Sequence, residues 1–178
     1  VNKIIKIVFL IVMLAIPLAI FIFLRIFGEN RFDIPVYYAD GVDKAYTGCT
    51  FTEGRFLVPD SLTEGNTSLF MFFKDDGTYN LRELDNQLSR LTELFVADTP
   101  KVTIFATDSL PGSELHITYL PKESMKMIMT CALVTDVYNQ FILVDKEGQV
   151  RGYYDTDLDE IDRLVVEIKI LLENGARK

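Results

Sequence analysis

The 178-residue chain has no tryptophan, one histidine (His116) and two cysteines, Cys49 and Cys131. A Ser/His/Asp or Cys/His nucleophilic centre would depend on His116 as its base. Its neighbours Glu114 and Thr118 form no recognisable motif, and His116 reads as a surface residue on the polar face of a strand. Two cysteines exclude a multi-disulfide scaffold and any four-cysteine zinc site. They allow one intramolecular pairing, which by chain entropy would contribute about 4 to 5 kcal/mol for a loop of this length. The other reading is two free buried thiols, and the sequence leaves both open. Basic side chains are also scarce: 18 Lys and Arg stand against 26 Asp and Glu, for a net charge of -8. A nucleic-acid partner is excluded on that ground, because a phosphate backbone needs a basic footprint. The Asp75-Asp76-Gly77 run lacks the further spaced carboxylates of a calcium loop and reads as an ordinary turn.

Charge is missing altogether from residues 7–24, from Ile7 to Leu24, bracketed by Lys6 and Arg25. Eighteen residues at helical rise reach about 27 Å, close to the roughly 30 Å of a bilayer core. Fourteen of them are Leu, Ile, Val or Phe, enough to favour insertion into lipid. Pro17 lies mid-span, where a membrane helix tolerates a kink. A signal peptide has a shorter apolar core and a small-residue cleavage site, neither of which is found around Phe23 to Gly28. The stretch therefore predicts a retained anchor in the lipid bilayer. Lys3 and Lys6 balance Arg25 and Arg31, so the positive-inside count is level. With five residues before Lys6, the simplest insertion leaves the tail inside and the domain outside.

The expected organisation is an anchor over residues 1–27, an extended arm over 28–60 and a folded domain over 61–178. Ser68 to Phe73 is a nearly continuous apolar run, as in a strand buried on both faces. After a turn, Asn80 and Glu83 stand in the capping-box relation, and Leu81, Leu84, Leu88, Leu91 and Phe95 follow at helical spacing. Val102 to Ala106 reads as a second strand, completing a βαβ unit. Leu115, Ile117 and Tyr119 alternate with polar residues, as in a short amphipathic strand. Residues 122–135 fit either helix or strand. Phe141-Ile142-Leu143-Val144, the turn Asp145-Lys146-Glu147-Gly148 and Val150 to Tyr154 predict a hairpin. A last helix should bury Leu158, Ile161, Leu164, Val165, Ile168, Leu171 and Leu172 and stop at Gly175.

That βαβ…ββα order, with the run Leu143-Val144-Asp145-Lys146-Glu147-Gly148-Gln149-Val150-Arg151-Gly152-Tyr153-Tyr154, resembles the Sco/SenC proteins over residues 55–172. The resemblance implies an α/β, thioredoxin-like domain behind a membrane anchor. In that family the domain is a copper chaperone of cytochrome oxidase assembly. It carries Cys-x-x-x-Cys between the first core strand and helix, and a histidine shortly before the final hairpin. Here residues 74–79 contain no sulfur and residues 135–140 no histidine, so no family ligand carries over to any position. Two thiolates and an imidazole are absent where copper would sit.

One other sulfur pattern exists. Met125, Met127, Met129 and Cys131 fall at every second residue; on a strand they would share a face that suits Cu(I). On a helix, Met125 and Met129 would pack inward and Met127 would not. The resulting expectation is a single-pass protein of the inner membrane with its domain in the periplasm. It is expected to be non-catalytic, to hold no cofactor and to assist assembly of respiratory or envelope proteins. The alternatives are a thiol-disulfide oxidoreductase using Cys49 and Cys131, and a structural subunit of a membrane complex.

Overall fold

Lys3–Phe27 forms a continuous helix, α1, with Pro17 inside it. The computed structural model describes residues 2–27, 34–43, 46, 48–51, 53–75, 77, 81–95, 99–108 and 117–176. Lys3–Phe23, 21 residues with mean hydropathy 2.9, is long and apolar enough to cross a membrane. That length and composition suit a membrane anchor or a signal sequence. The helix lies in one compact unit, Val1–Asp33, and the rest of the chain forms a second, Ile34–Lys178.

In the second unit, a short helix α2 (Asp60–Thr63) leads into β1 (Ser68–Phe72), and α3 (Leu81–Leu94) carries the chain to β2 (Lys101–Ala106). Then come β3 (Ile117–Tyr119), α4 (Lys122–Met127) continuing as a π-helical turn (Ile128–Ala132), β4 (Phe141–Val144), β5 (Val150–Tyr154) and α5 (Leu158–Ala176). The sheet order is β3-β2-β1-β4-β5. β1 pairs parallel with β2 and antiparallel with β4, and β4 pairs antiparallel with β5. A parallel βαβ unit joined edge to edge with an antiparallel hairpin and a closing helix is the thioredoxin-like fold that the residue pattern implies.

β1 is central and buried at all five positions, which is why its sequence is apolar without alternation. Leu69, Met71 and Phe73 face a core made with Leu84, Leu88 and Leu91 of α3 and Ile161, Leu164 and Ile168 of α5. Phe70 and Phe72 face the other core, with Val58, Phe105, Met125, Met129 and Leu133. Burying each such side chain contributes about 1.5 to 3 kcal/mol.

The hairpin contains a bulge: Leu143 pairs with Gly152 and Val144 with Val150, leaving Arg151 outside the ladder. The extra residue inverts the parity of β5, so Val150 enters one core and Tyr154 the other. The Tyr154 ring lies over Gly152, where an added Cβ would collide with its hydroxyl and ring carbons. The bulge also frees the Arg151 side chain, which reaches back across the chain. Its Nη1 lies 3.3 Å from Asp145 Oδ2 and its Nη2 donates to the Ile34 carbonyl at 2.6 Å.

Several expectations meet differences. The second unit begins at Ile34, and described residues of the predicted arm pack on the hairpin. The Tyr37 N–H donates to Val150 O at 2.9 Å, and the Val58 N–H to Gly148 O at 2.8 Å. Leu158, the first residue of α5, is exposed where the periodic pattern predicts burial. Gly175 does not stop α5, which runs to Ala176. Residues 122–132 are helical, with a π-turn that the apolar pattern did not announce. Asn80 and His116 lie outside the described residues.

Candidate functional site

In an open α/β sheet, ligands meet the carboxyl ends of the parallel strands. At the ends of β1 and β2 the chain forms a cleft of about 290 Å³, lined by Lys74, Asp75, Thr107, Asp108, Lys122 and Tyr138, among others. Two lysines and two aspartates balance the charge of its rim. The Lys74 ammonium stands 5.4 Å from the centre of the Tyr138 ring, within cation–π range. Asp75 Oδ1 accepts from the Gly77 N–H at 2.9 Å, an Asx turn that shapes the start of the loop after β1.

The other wall is the segment before β4, and it is held by its own hydrogen bonds. Thr135 Oγ1 accepts from the Val137 N–H at 3.2 Å and from Gln140 Nε2 at 2.9 Å. Asn139 has a positive φ of 58°, which asparagine tolerates better than most residues. In that conformation its N–H donates to Phe72 O at 2.8 Å, its Oδ1 accepts from the Lys74 N–H and its Nδ2 donates to Lys74 O. The end of β1 is thus tied to the segment before β4 by three hydrogen bonds.

This site offers ammonium, carboxylate, hydroxyl and phenol groups, and residues 74–79 and 135–140 contain neither cysteine nor histidine. The donor set does not fit a soft cation there, and no thiolate is present to begin disulfide exchange. The arrangement can bind by ion pairing and hydrogen bonding.

Both cysteines lie elsewhere, joined in a disulfide with their Cα atoms 5.2 Å apart. Cys131 sits in the π-turn, and Cys49 in the segment between Tyr38 and Phe56. The sulfur row is not brought together. Met125 and Met129 are buried in the core, Met127 is 64% exposed, and Cys131 is bonded to Cys49. The cause is the helical geometry of residues 122–132, which rotates alternate side chains to different faces.

Beside the disulfide is a tyrosine cluster that sequence reasoning missed. The Tyr153 hydroxyl lies 2.9 Å from Leu133 O, 3.3 Å from Val134 O and 3.2 Å from the Tyr38 hydroxyl. Tyr38 in turn lies 3.4 Å from Val134 O. Val134 has φ 52°, unusual for a β-branched residue, so these hydroxyls fasten a strained turn. Desolvation first, then the hydrogen bond with Tyr38, pushes the Tyr153 hydroxyl far above its ordinary value. Its position next to last in a predicted strand was the available signal, and its partners lie too far away in sequence to be read.

No protein-family model matches the chain, and no curated protein matches it. Solved structures do resemble it. One is BsSco, a member of the Sco family of cytochrome c oxidase assembly proteins, described for a disulfide switch. It is 14% identical, covers 77% of this chain and 94% of its own, and has a TM-score of 0.49. A SCO1/SenC family lipoprotein from Bacillus anthracis is 13% identical over 64% of this chain and 85% of its own, with a TM-score of 0.46. The thioredoxin domain of a thiol-disulfide oxidoreductase from Bacteroides vulgatus is 16% identical over 76% of this chain and 99% of its own, with a TM-score of 0.49. At these identities and TM-scores the likeness assigns no activity to this chain.

Proposed function

We propose that this chain is a membrane-anchored, non-catalytic protein of thioredoxin-like fold that assists assembly of respiratory complexes, cytochrome oxidase among them, or of envelope proteins. In this reading residues 7–24 hold it in the inner membrane and the domain works in the periplasm. The observation that carries the proposal is the Lys74–Asn139 clamp. The place where this fold performs thiol chemistry has no sulfur, and the end of β1 is bound there to the segment before β4, while the chain's two cysteines are paired elsewhere. What remains is a rigid, charged cleft suited to docking. No copper ligand set is proposed, since Met125, Met127, Met129 and Cys131 do not converge.

The test is affinity capture of the full chain from solubilised membranes. Substoichiometric recovery of oxidase or envelope-protein subunits, lost when Lys74 and Lys122 are changed to Glu, is the expected result. Stoichiometric co-purification with one complex would make the chain a structural subunit instead.

A second reading is favoured by one observation: the Cys49–Cys131 pair is formed and both residues are only half-buried. In that reading the pair turns over as a thiol-disulfide oxidoreductase. Multiple-turnover insulin reduction by the full chain, abolished by Cys49→Ser, would establish it and overturn the non-catalytic reading.

A further inference from the structure

The segment that carries Cys49 is closed at its base without help from the disulfide. The Phe56 N–H donates to Tyr38 O at 3.0 Å, and the two rings meet edge to face with centres 6.1 Å apart. On either side, the Tyr37 N–H is bound to Val150 O, the Val58 N–H to Gly148 O, and Ile34 O to Arg151. The other end of the bridge is fixed independently too. The Leu133 N–H donates to Ile128 O at 3.0 Å and the Thr135 N–H to Met129 O at 2.9 Å, while the Tyr38 and Tyr153 hydroxyls hold the Val134 turn. Cutting the S–S bond therefore removes a fastening between two places that are each anchored by other means. What the bond fastens to the π-turn is the turn around Cys49, with its Cys49 N–H to Tyr46 O bond of 3.2 Å; beyond it the Phe51 ring meets Phe56 edge to face with centres 5.7 Å apart.

The two sulfurs differ in their surroundings. Cys49 is flanked by exposed Gly48 and Thr50; Cys131 is followed by half-buried Ala132 and fully buried Leu133. Thr130 Oγ1 stands 3.7 Å from Cys131 Sγ and 3.6 Å from Cys49 Sγ, while its hydroxyl donates to Lys126 O at 2.9 Å. A hydroxyl placed there can turn to donate to a thiolate on Cys131. Accessible disulfides whose opening does not unfold the protein are the labile ones.

We propose that Cys49–Cys131 is a redox clasp, opened once per chain by a dithiol reductant, that releases the Cys49 turn from the π-turn while the domain stays folded. One thiolate of the dithiol attacks Cys49 Sγ, the Cys49–Cys131 bond breaks, and Cys131 leaves as a thiolate with Thr130 beside it. The second thiol of the reductant, as a thiolate, then displaces Cys49 from the mixed disulfide. Two electrons pass to the chain, two cysteine thiols result after proton uptake, and the reductant ends as its own disulfide. This is a stoichiometric exchange that changes the conformation of the arm, distinct from turnover on a substrate, and it stands whether or not the assembly role does.

The experiment uses the full chain in detergent micelles with dithiothreitol as the dithiol, followed by hydrogen–deuterium exchange. Expected is complete reduction without denaturant, at a rate within about tenfold of that for the denatured chain. The Cys49 amide should then exchange at least about tenfold faster, with Tyr37, Val58 and the β4–β5 amides unchanged within about twofold. The Cys49→Ala/Cys131→Ala double variant should reproduce the reduced pattern without any reductant. Reduction that proceeds only as fast as global unfolding would overturn the proposal, as would equal loss of protection throughout the hairpin. Either result would make the bond a structural staple. Unchanged exchange at Cys49 after full reduction would also overturn it.

Discussion

Asn139 holds the backbone of Lys74 from both sides, accepting from its N–H and donating to its carbonyl, each at 2.9 Å. A side-chain amide thus stands in for a neighbouring strand just past the end of β1. It does so 65 residues away in sequence, and it holds the backbone of a residue that lines the charged cleft.

Asn139→Ala should lose both side-chain hydrogen bonds and place a less tolerant residue at φ 58°, at a combined cost of about 2 kcal/mol. Asn139→Gly keeps the backbone conformation open and should cost only about 1 kcal/mol. Urea denaturation of the full chain in micelles orders the two. If both variants unfold at the wild-type midpoint, the clamp contributes nothing and the cleft is not braced by it.

The parts of this structure that could be read in the sequence are those in which burial alone dictates pattern. β1 announces itself as an uninterrupted apolar run because it is central, and α5 shows its Ile161, Leu164 and Ile168 stripe at helical spacing. The hairpin was marked by Gly148, which has φ 79° and whose N–H closes the turn onto Asp145 O. The candidate site was less legible. Asn139 and Lys74, or Tyr38 and Tyr153, are joined by polar contacts between distant segments, and such pairs leave no periodic trace. The π-turn at Ile128–Ala132 is likewise invisible, since one extra residue in a helix changes the buried face without changing composition. The Met125, Met127, Met129 and Cys131 spacing fitted strand and helix alike, and the helix alternative, with Met125 and Met129 packed inward and Met127 outside, is the one the structure adopts.

The two tyrosines that end β5 should set the alkaline limit of stability. Burial raises the hydroxyls of Tyr153 and Tyr154 above their ordinary value of 10.0; the hydrogen bond with Tyr38 adds to this at Tyr153, and that with Glu167 at Tyr154. In the unfolded chain both ionise near pH 10, while burial in the folded protein holds both protons to higher pH. Stability from these groups is therefore fully present below pH 10 and is lost as pH rises above it. Each contributes a slope of about 1.4 kcal/mol per pH unit, roughly 2.7 together. Denaturation between pH 9 and 11 should show this fall, and Tyr153→Phe should remove about half of it. A variant with an unchanged alkaline slope would mean that Tyr153 ionises in the folded state.

The Asp145–Arg151 pair, at 3.3 Å, gives a prediction of opposite chemistry. Both side chains are nearly withdrawn from water, and Arg151 Nε is buried with no hydrogen-bond partner among the described residues. Asp145 Oδ1 accepts from the Glu147 and Gln149 N–H groups, yet desolvation outweighs these bonds and the Arg151 charge, raising its carboxyl above 3.8. An acid whose folded value is raised gives stability that is complete below the unfolded value and fades as pH climbs through the folded one. Ionised Asp145 is therefore a net cost at neutral pH, even though removing it alone should be worse. Asp145→Asn keeps an acceptor for the two N–H groups but leaves the buried Arg151 charge with no carboxylate facing it, at a cost of about 3 kcal/mol. Arg151→Met should destabilise similarly, because it strands the carboxylate and gives up the bond to Ile34 O. The double variant should recover to within about 1 kcal/mol of wild type, since neither buried charge then remains. A double-mutant cycle at pH 7 measures the coupling directly. Strict additivity of the two losses would show that the pair does not interact, and that Arg151 acts only by tying Ile34 to the hairpin.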